Sequence, residues 1–213
     1  MQNHSITVQK SARVFSLGNL DTAKEIWIVL HGYAQLASDF IKTFEPIMND
    51  NRAIIAPEGL HRFYRKGFYG DVVASWMTKE DRLNDIEDYT TYLNQVVEQF
   101  STGDQTIHVL GFSQGVATAC RWIAKSNVHV GSMVLWAGTF PTDITLEHPQ
   151  SNLASCKSYL VYDNEDPFRN EDSWQKQLNF FKKIGLSTVV HTFTGGHKIP
   201  SEELIQFFKE NFD

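Results

Sequence analysis

Two kinds of apolar pattern alternate along most of the 213-residue chain. The first is the short unbroken apolar run. Glu25-Ile26-Trp27-Ile28-Val29-Leu30 is the clearest example, and such runs suit strands buried on both faces of a sheet. Segments 52–56, 106–110, 132–136, 157–162 and 188–193 read the same way, the first of them stopped by Pro57. The second pattern is the helical stripe. From 82 to 100, Ile86, Tyr89, Leu93, Val96, Val97 and Phe100 recur at spacings of three, four and one, which gathers them on one side of a helix. Further helices are predicted over 39–48, 114–125, 173–184 and 201–211, the last with Ser201 as its cap and Glu203 in its first turn. Segment 5–17 differs: Ile6, Val8, Val14 and Phe15 stand among polar neighbours, as in a strand paired antiparallel at a sheet edge.

Strands that alternate with helices call for a mainly parallel, twisted α/β sheet covered on both faces, here with an antiparallel N-terminal edge. No Pro/Gly/Ser-rich linker, low-complexity tract or repeat divides the chain, so residues 1–213 read as a single domain without a large cap. In open sheets of this kind ligands bind beyond the carboxyl ends of the strands, and chemistry is sought there.

Composition narrows the options. With 42% hydrophobic residues a chain this long can bury its core without staples. A net charge of −6 gives no footprint for nucleic acid. Two cysteines, Cys120 and Cys156, are no disulfide framework and favour a reducing compartment, although a single bridge stays open. The eight histidines are scattered with no HExxH, and no CxxC occurs, so no metal is expected. The N-terminal stretch lacks the apolar core of a secretory leader, and no apolar run approaches the ~18 residues that span a bilayer. The cytoplasm is the expected location.

The chemistry begins at Val109-Leu110-Gly111-Phe112-Ser113-Gln114-Gly115, a G-x-S-x-G pattern between a predicted strand and a predicted helix. In that context Ser113 sits on a sharp, strained strand-to-helix turn, with Gly111 and Gly115 leaving room and the helix N-terminus favouring negative charge. A serine capping a helix is the plainer alternative. An HG pair at 31–32, a DP pair at 166–167 and a GH pair at 196–197 complete the set.

On these motifs the chain resembles the phospholipase/carboxylesterase family of α/β hydrolases, the branch that includes acyl-protein thioesterases. The resemblance runs over essentially the whole chain. It departs at Val116, where many relatives have another glycine, and at the HGYA of 31–34, where many have HG, a residue and glycine. It implies the α/β-hydrolase fold, a serine esterase acting through an acyl-serine, and no cofactor. An acyl thioesterase or lysophospholipase would use the same machinery, and a non-catalytic binding protein on this fold is the remaining alternative.

A serine hydroxyl needs a base to take its proton, and the order in this fold is serine, acid, histidine. His197 follows the strand at 188–193 on a Gly-Gly loop, where the resemblance places its base. His129, His148 and His191 also follow Ser113, but on a connection, in a polar loop and inside a strand. For the acid, Asp166 before Pro167 is preferred, with Asp163 and Glu165 as alternatives. The N–H of Gln114 is one expected oxyanion donor. By resemblance the other is the N–H of Tyr33, with Ala34 second.

Residues 57–80 show no helical or strand periodicity and read as a long loop. Its Phe63, Tyr64, Phe68 and Trp76, with Phe140 beyond the strand at 132–136, are expected to wall the substrate pocket, although an aromatic loop packed on itself fits equally. Arg62, Arg65 and Lys66 are either solvated or a lure for an anionic substrate. The partner expected is a small-molecule ester.

Overall fold

The computed structural model describes residues 1–2, 4–144, 152–168, 171–183 and 185–213. Its elements, in chain order, are β1 (Val14–Leu17), β2 (Glu25–Leu30), α1 (Ala37–Phe40) running into a 3-10 turn (Ile41–Ile47), β3 (Arg52–Pro57), β4 (His61–Lys66) and β5 (Tyr69–Ser75). There follow α2 (Arg82–Phe100), β6 (Thr106–Phe112), α3 (Gln114–Lys125), β7 (Val130–Trp136), α4 (Asn152–Ser155), β8 (Lys157–Asp163), α5 (Glu171–Lys183), β9 (Thr188–Phe193) and α6 (Ser201–Asn211).

Among the described residues seven strands form one sheet in the order β1-β3-β2-β6-β7-β8-β9. Only β1 runs antiparallel, pairing Val14 with Pro57 and Leu17 with Ile54. The other neighbours are parallel. This is the α/β-hydrolase arrangement, without a large cap among the described residues.

The alternation of side chains along a strand divides the core in two. Ile26, Ile28 and Leu30 of β2 pack with Ile86, Leu93, Ala119 and Ile123 of α2 and α3. Trp27 and Val29 point the other way, toward Phe40, Phe44, Leu204, Phe207 and Phe208. Because both faces are covered, the central strands are apolar at nearly every position, which is why they read as runs.

The structure corrects four local expectations. The N-terminal strand is confined to Val14–Leu17, and Ile6 and Val8 are exposed. Segment 39–48 is a single α-helical turn from Ala37 followed by a 3-10 turn. Pro46 lies inside that turn, where its missing N–H and its restriction of the preceding residue disfavour continued α-helix. Pro200, not Ser201, caps α6, and Ser201 is its first helical residue. The stretch expected as a loop is an antiparallel hairpin, β4 against β5, with Phe63 opposite Val73 and Lys66 opposite Tyr69. Residue 184, the predicted end of α5, and His148 lie outside the described residues. No described helix is long and apolar enough to cross a membrane.

Candidate active site

Ser113, Asp166 and His197 each follow the carboxyl end of a strand: β6, β8 and β9 respectively. At Ser113 the strand turns abruptly into α3, with φ 53° and ψ −114°. The turn is possible because its neighbours are bare. A Cβ on Gly115 would lie 2.1 Å from the Leu30 carbonyl oxygen, and one on Gly111 would lie 2.5 Å from the Gly115 carbonyl oxygen. The Ser113 N–H donates to the Trp136 carbonyl at 3.0 Å, tying the turn to β7.

The three side chains form a chain of hydrogen bonds. Ser113 Oγ lies 2.9 Å from His197 Nε2. His197 Nδ1 lies 2.7 Å from Asp166 Oδ2. The other oxygen of Asp166 accepts the Phe168 N–H at 2.8 Å, which fixes the carboxylate plane. The Phe112 and Phe168 rings flank the imidazole at centroid distances of 5.2 and 4.8 Å. With Nδ1–H donating to Asp166 Oδ2, Nε2 is left as an acceptor facing the serine hydroxyl.

Asp163 is not in that chain. It is fully buried at the end of β8 and accepts N–H groups from Glu165 and Gly196, each at 2.5 Å, and from Gly195. Glu165 takes part through its backbone. Of the other histidines, His129 and His191 lie away from Ser113; His191 faces Phe207 and Glu203.

The loop after β2 is held from several sides. His31 is buried; its Nδ1 donates to the Gly32 carbonyl at 2.7 Å and its Nε2 accepts the Gly59 N–H at 2.9 Å. The Gly32 N–H is taken by Gln35 Oε1 at 2.7 Å and the Ala34 N–H by the Ala74 carbonyl at 2.9 Å. Arg65 donates to the Ala34 carbonyl at 2.9 Å. Among the described residues no acceptor takes the Tyr33 N–H.

Beside Ser113 opens a cavity of about 490 Å3. Tyr33, Tyr162, Phe168 and Trp174 provide most of its apolar wall, and Thr139 and Gln177 add polar atoms. The expected wall residues do not line it. Trp76 is fully buried behind the site, donating from Nε1 to the His31 carbonyl and from its N–H to Gln114 Oε1. Phe140 is buried against Phe180 and Phe181. Phe63 packs tilted against Tyr33, which lines the cavity, at a centroid distance of 5.5 Å. Tyr64 and Phe68 stand on the exposed hairpin, Phe68 at 98%. The residues that sequence reasoning missed lie near the carboxyl end of β8, follow strands β7 and β8, or belong to α5. The rule that sites form beyond strand carboxyl ends is the signal that could have found Thr139 and Phe168. Trp174 and Gln177, three apart on α5, carried no comparable signal. Val116, one of the departures noted above, is buried and lines no part of the cavity. No group of three or more His, Cys, Asp or Glu among the described residues could hold a metal ion.

A family model for the serine hydrolases called FSH1 matches residues 23–207. The chain belongs to the FSH1 serine hydrolase family. Solved structures share the fold of this FSH1 member. An acyl-protein thioesterase 2 from Zea mays superposes with a TM-score of 0.72 at 19% identity, covering 94% of this chain and 97% of that one. A phospholipase/carboxylesterase from Dyadobacter fermentans gives 0.68 at 19% identity, over 96% and 98%. A Bacillus cereus carboxylesterase gives 0.68 at 16% identity, over 94% and 95%. A search of curated proteins returned no match to the chain.

Proposed function

We propose that this serine hydrolase cleaves small or medium carboxylic esters through an acyl-serine on Ser113. The observation that carries the reading is the pair of contacts at His197, 2.9 Å to Ser113 Oγ and 2.7 Å to Asp166 Oδ2. Nε2 takes the hydroxyl proton as Oγ attacks the ester carbonyl. Asp166 holds the ring in the required tautomer and stabilises the imidazolium. The N–H groups of Gln114 and Tyr33 receive the oxyanion; Tyr33 is favoured over its neighbours because theirs are committed elsewhere. The imidazolium returns its proton to the departing alkoxide, and water repeats the sequence on the acyl-enzyme.

The cavity supports a substrate with an apolar part: among the described residues its wall is largely aromatic, with the carboxylates of Asp163 and Asp166 beside the imidazole. Its volume falls within the range of small-molecule sites, ~300–1,000 Å3. A thioester would fit the same machinery, and the name of the maize neighbour favours testing one. Two free, buried cysteines support a reducing compartment such as the cytoplasm. A sheet continuous from β1 to β9 supports reading the chain as one domain.

The test is a panel of p-nitrophenyl esters of rising chain length beside acyl thioesters, with a fluorophosphonate probe. Ser113→Ala is expected to abolish labelling and to lower ester turnover by at least about 10³-fold. Labelling that survives in Ser113→Ala would remove the serine from the mechanism.

A further inference from the structure

The loop that carries Asp166 leaves β8, and the loop that carries His197 leaves β9. These strands are neighbours, and Asp163 pairs with Phe193 at their shared carboxyl end. From that point each loop runs a different course, yet the Asp166–His197 contact must close to 2.7 Å. One side chain bridges the two. The Asp163 carboxylate accepts the Glu165 N–H on its own loop and the Gly195 and Gly196 N–H groups on the other. Its carboxylate is buried, so its oxygens rely on these N–H groups for their hydrogen bonds. On the far side of His197, Trp136 Nε1 donates to the Lys198 carbonyl at 3.0 Å. The backbone on either side of the imidazole is therefore gripped, by a carboxylate before it and an indole after it.

We infer that Asp163 is a positioning residue that sets the reach of His197 toward Asp166 and Ser113 by clamping the Gly195-Gly196 backbone to the end of β8. This rests on the proposed function, because it assigns Asp163 to the same proton path without placing it on that path. Burial alone would raise its pKa, but the N–H groups of Glu165, Gly196 and Gly195, with Lys198 nearby, hold the carboxyl below its ordinary value. The clamp is thus an anion at working pH. An uncharged amide of the same shape would be a poor substitute, since its NH2 would face N–H donors.

The experiment uses the full chain with Asp163→Asn and Asp163→Glu, beside Asp166→Asn and Ser113→Ala. The readouts are kcat and KM on a p-nitrophenyl ester, the downfield proton resonance of His197 Nδ1–H, and the unfolding midpoint. Both Asp163 variants are expected to lower kcat by at least about tenfold with KM within about threefold, as misplacing a reacting group does. The Nδ1–H resonance should shift or broaden away in the folded variants. A kcat within about twofold of wild type with an unmoved resonance would overturn the inference while leaving Ser113 untouched. So would failure of both variants to fold, which would make the carboxylate a support of the sheet end. If instead Ser113→Ala retained full activity, the proposed function itself would fail.

Discussion

At Gly115 the fold leaves no room for a methyl group. The obstacle is backbone, the Leu30 carbonyl oxygen 2.1 Å from where a Cβ would stand, so no rotamer change relieves it. Gly115→Ala must push α3 away from β2 and carry the Ser113 turn with it. Overpacking a rigid site costs ~1–3 kcal/mol, and this contact belongs at the upper end or beyond. Urea unfolding of Gly115→Ala should show that loss, together with a fall in ester turnover. Gly67→Ala, at φ +75° with nothing within 4 Å, should cost only the left-handed backbone penalty of about 1–2 kcal/mol and spare turnover. The same local logic explains what could be read at residue scale. The Gly-x-Ser-x-Gly turn and the Gly-Gly-His loop are short signals in which neighbours restrict one another, and the structure brings Ser113 and His197 together at 2.9 Å. Asp166 and Asp163 were harder to separate, because both follow one strand. Only the fold decides which carboxylate meets the imidazole and which meets backbone N–H groups.

Among the elements, the buried strands were legible as unbroken apolar runs and the long helix α2 as one apolar stripe. The β4–β5 hairpin was not. Most of its side chains face solvent on both sides, so no buried face imposes alternation on Phe63, Tyr64 or Tyr69. Its charges were a second ambiguity. Arg65 is committed to the Ala34 carbonyl, and neither Arg62 nor Lys66 lines the cavity. Arg62→Ala combined with Arg65→Ala should therefore change kcat/KM for a neutral and an anionic ester by the same factor, within about twofold, at low and high salt alike. A selective loss on the anionic ester, erased by salt, would restore charge steering. The cavity wall was illegible for a different reason. Tyr33, Tyr162, Phe168 and Trp174 come from four separate segments, and aromatic residues in sequence announce burial as readily as a wall.

The whole molecule also responds to acid through buried histidines outside the triad. Burial lowers the pKa of His31 below 6.5, although the Gly32 carbonyl and Glu58 pull the other way. Burial likewise lowers that of His108, against Glu25 and with Arg52. The unfolded chain then binds protons that the native state refuses, so stability is complete above about pH 6.5 and falls on acidification toward the depressed values. Each histidine contributes a slope of at most about 1.4 kcal/mol per pH unit in that window. Urea midpoints measured from roughly pH 8 down to pH 5 should stay level and then decline, with a shallower decline in His31→Gln. At His31 the loss has a structural meaning, because an imidazolium cannot accept the Gly59 N–H that pins the loop after β2.

The twisted backbone at Ser113, with φ 53°, is a conformation that costs an L-residue of order 1–3 kcal/mol. Glycine would relax it and leave the hydrolase hardier and inert. Endurance and turnover thus pull in opposite directions on one pair of dihedral angles, and a lineage selected for heat resistance alone would be expected to surrender its hydroxyl there first.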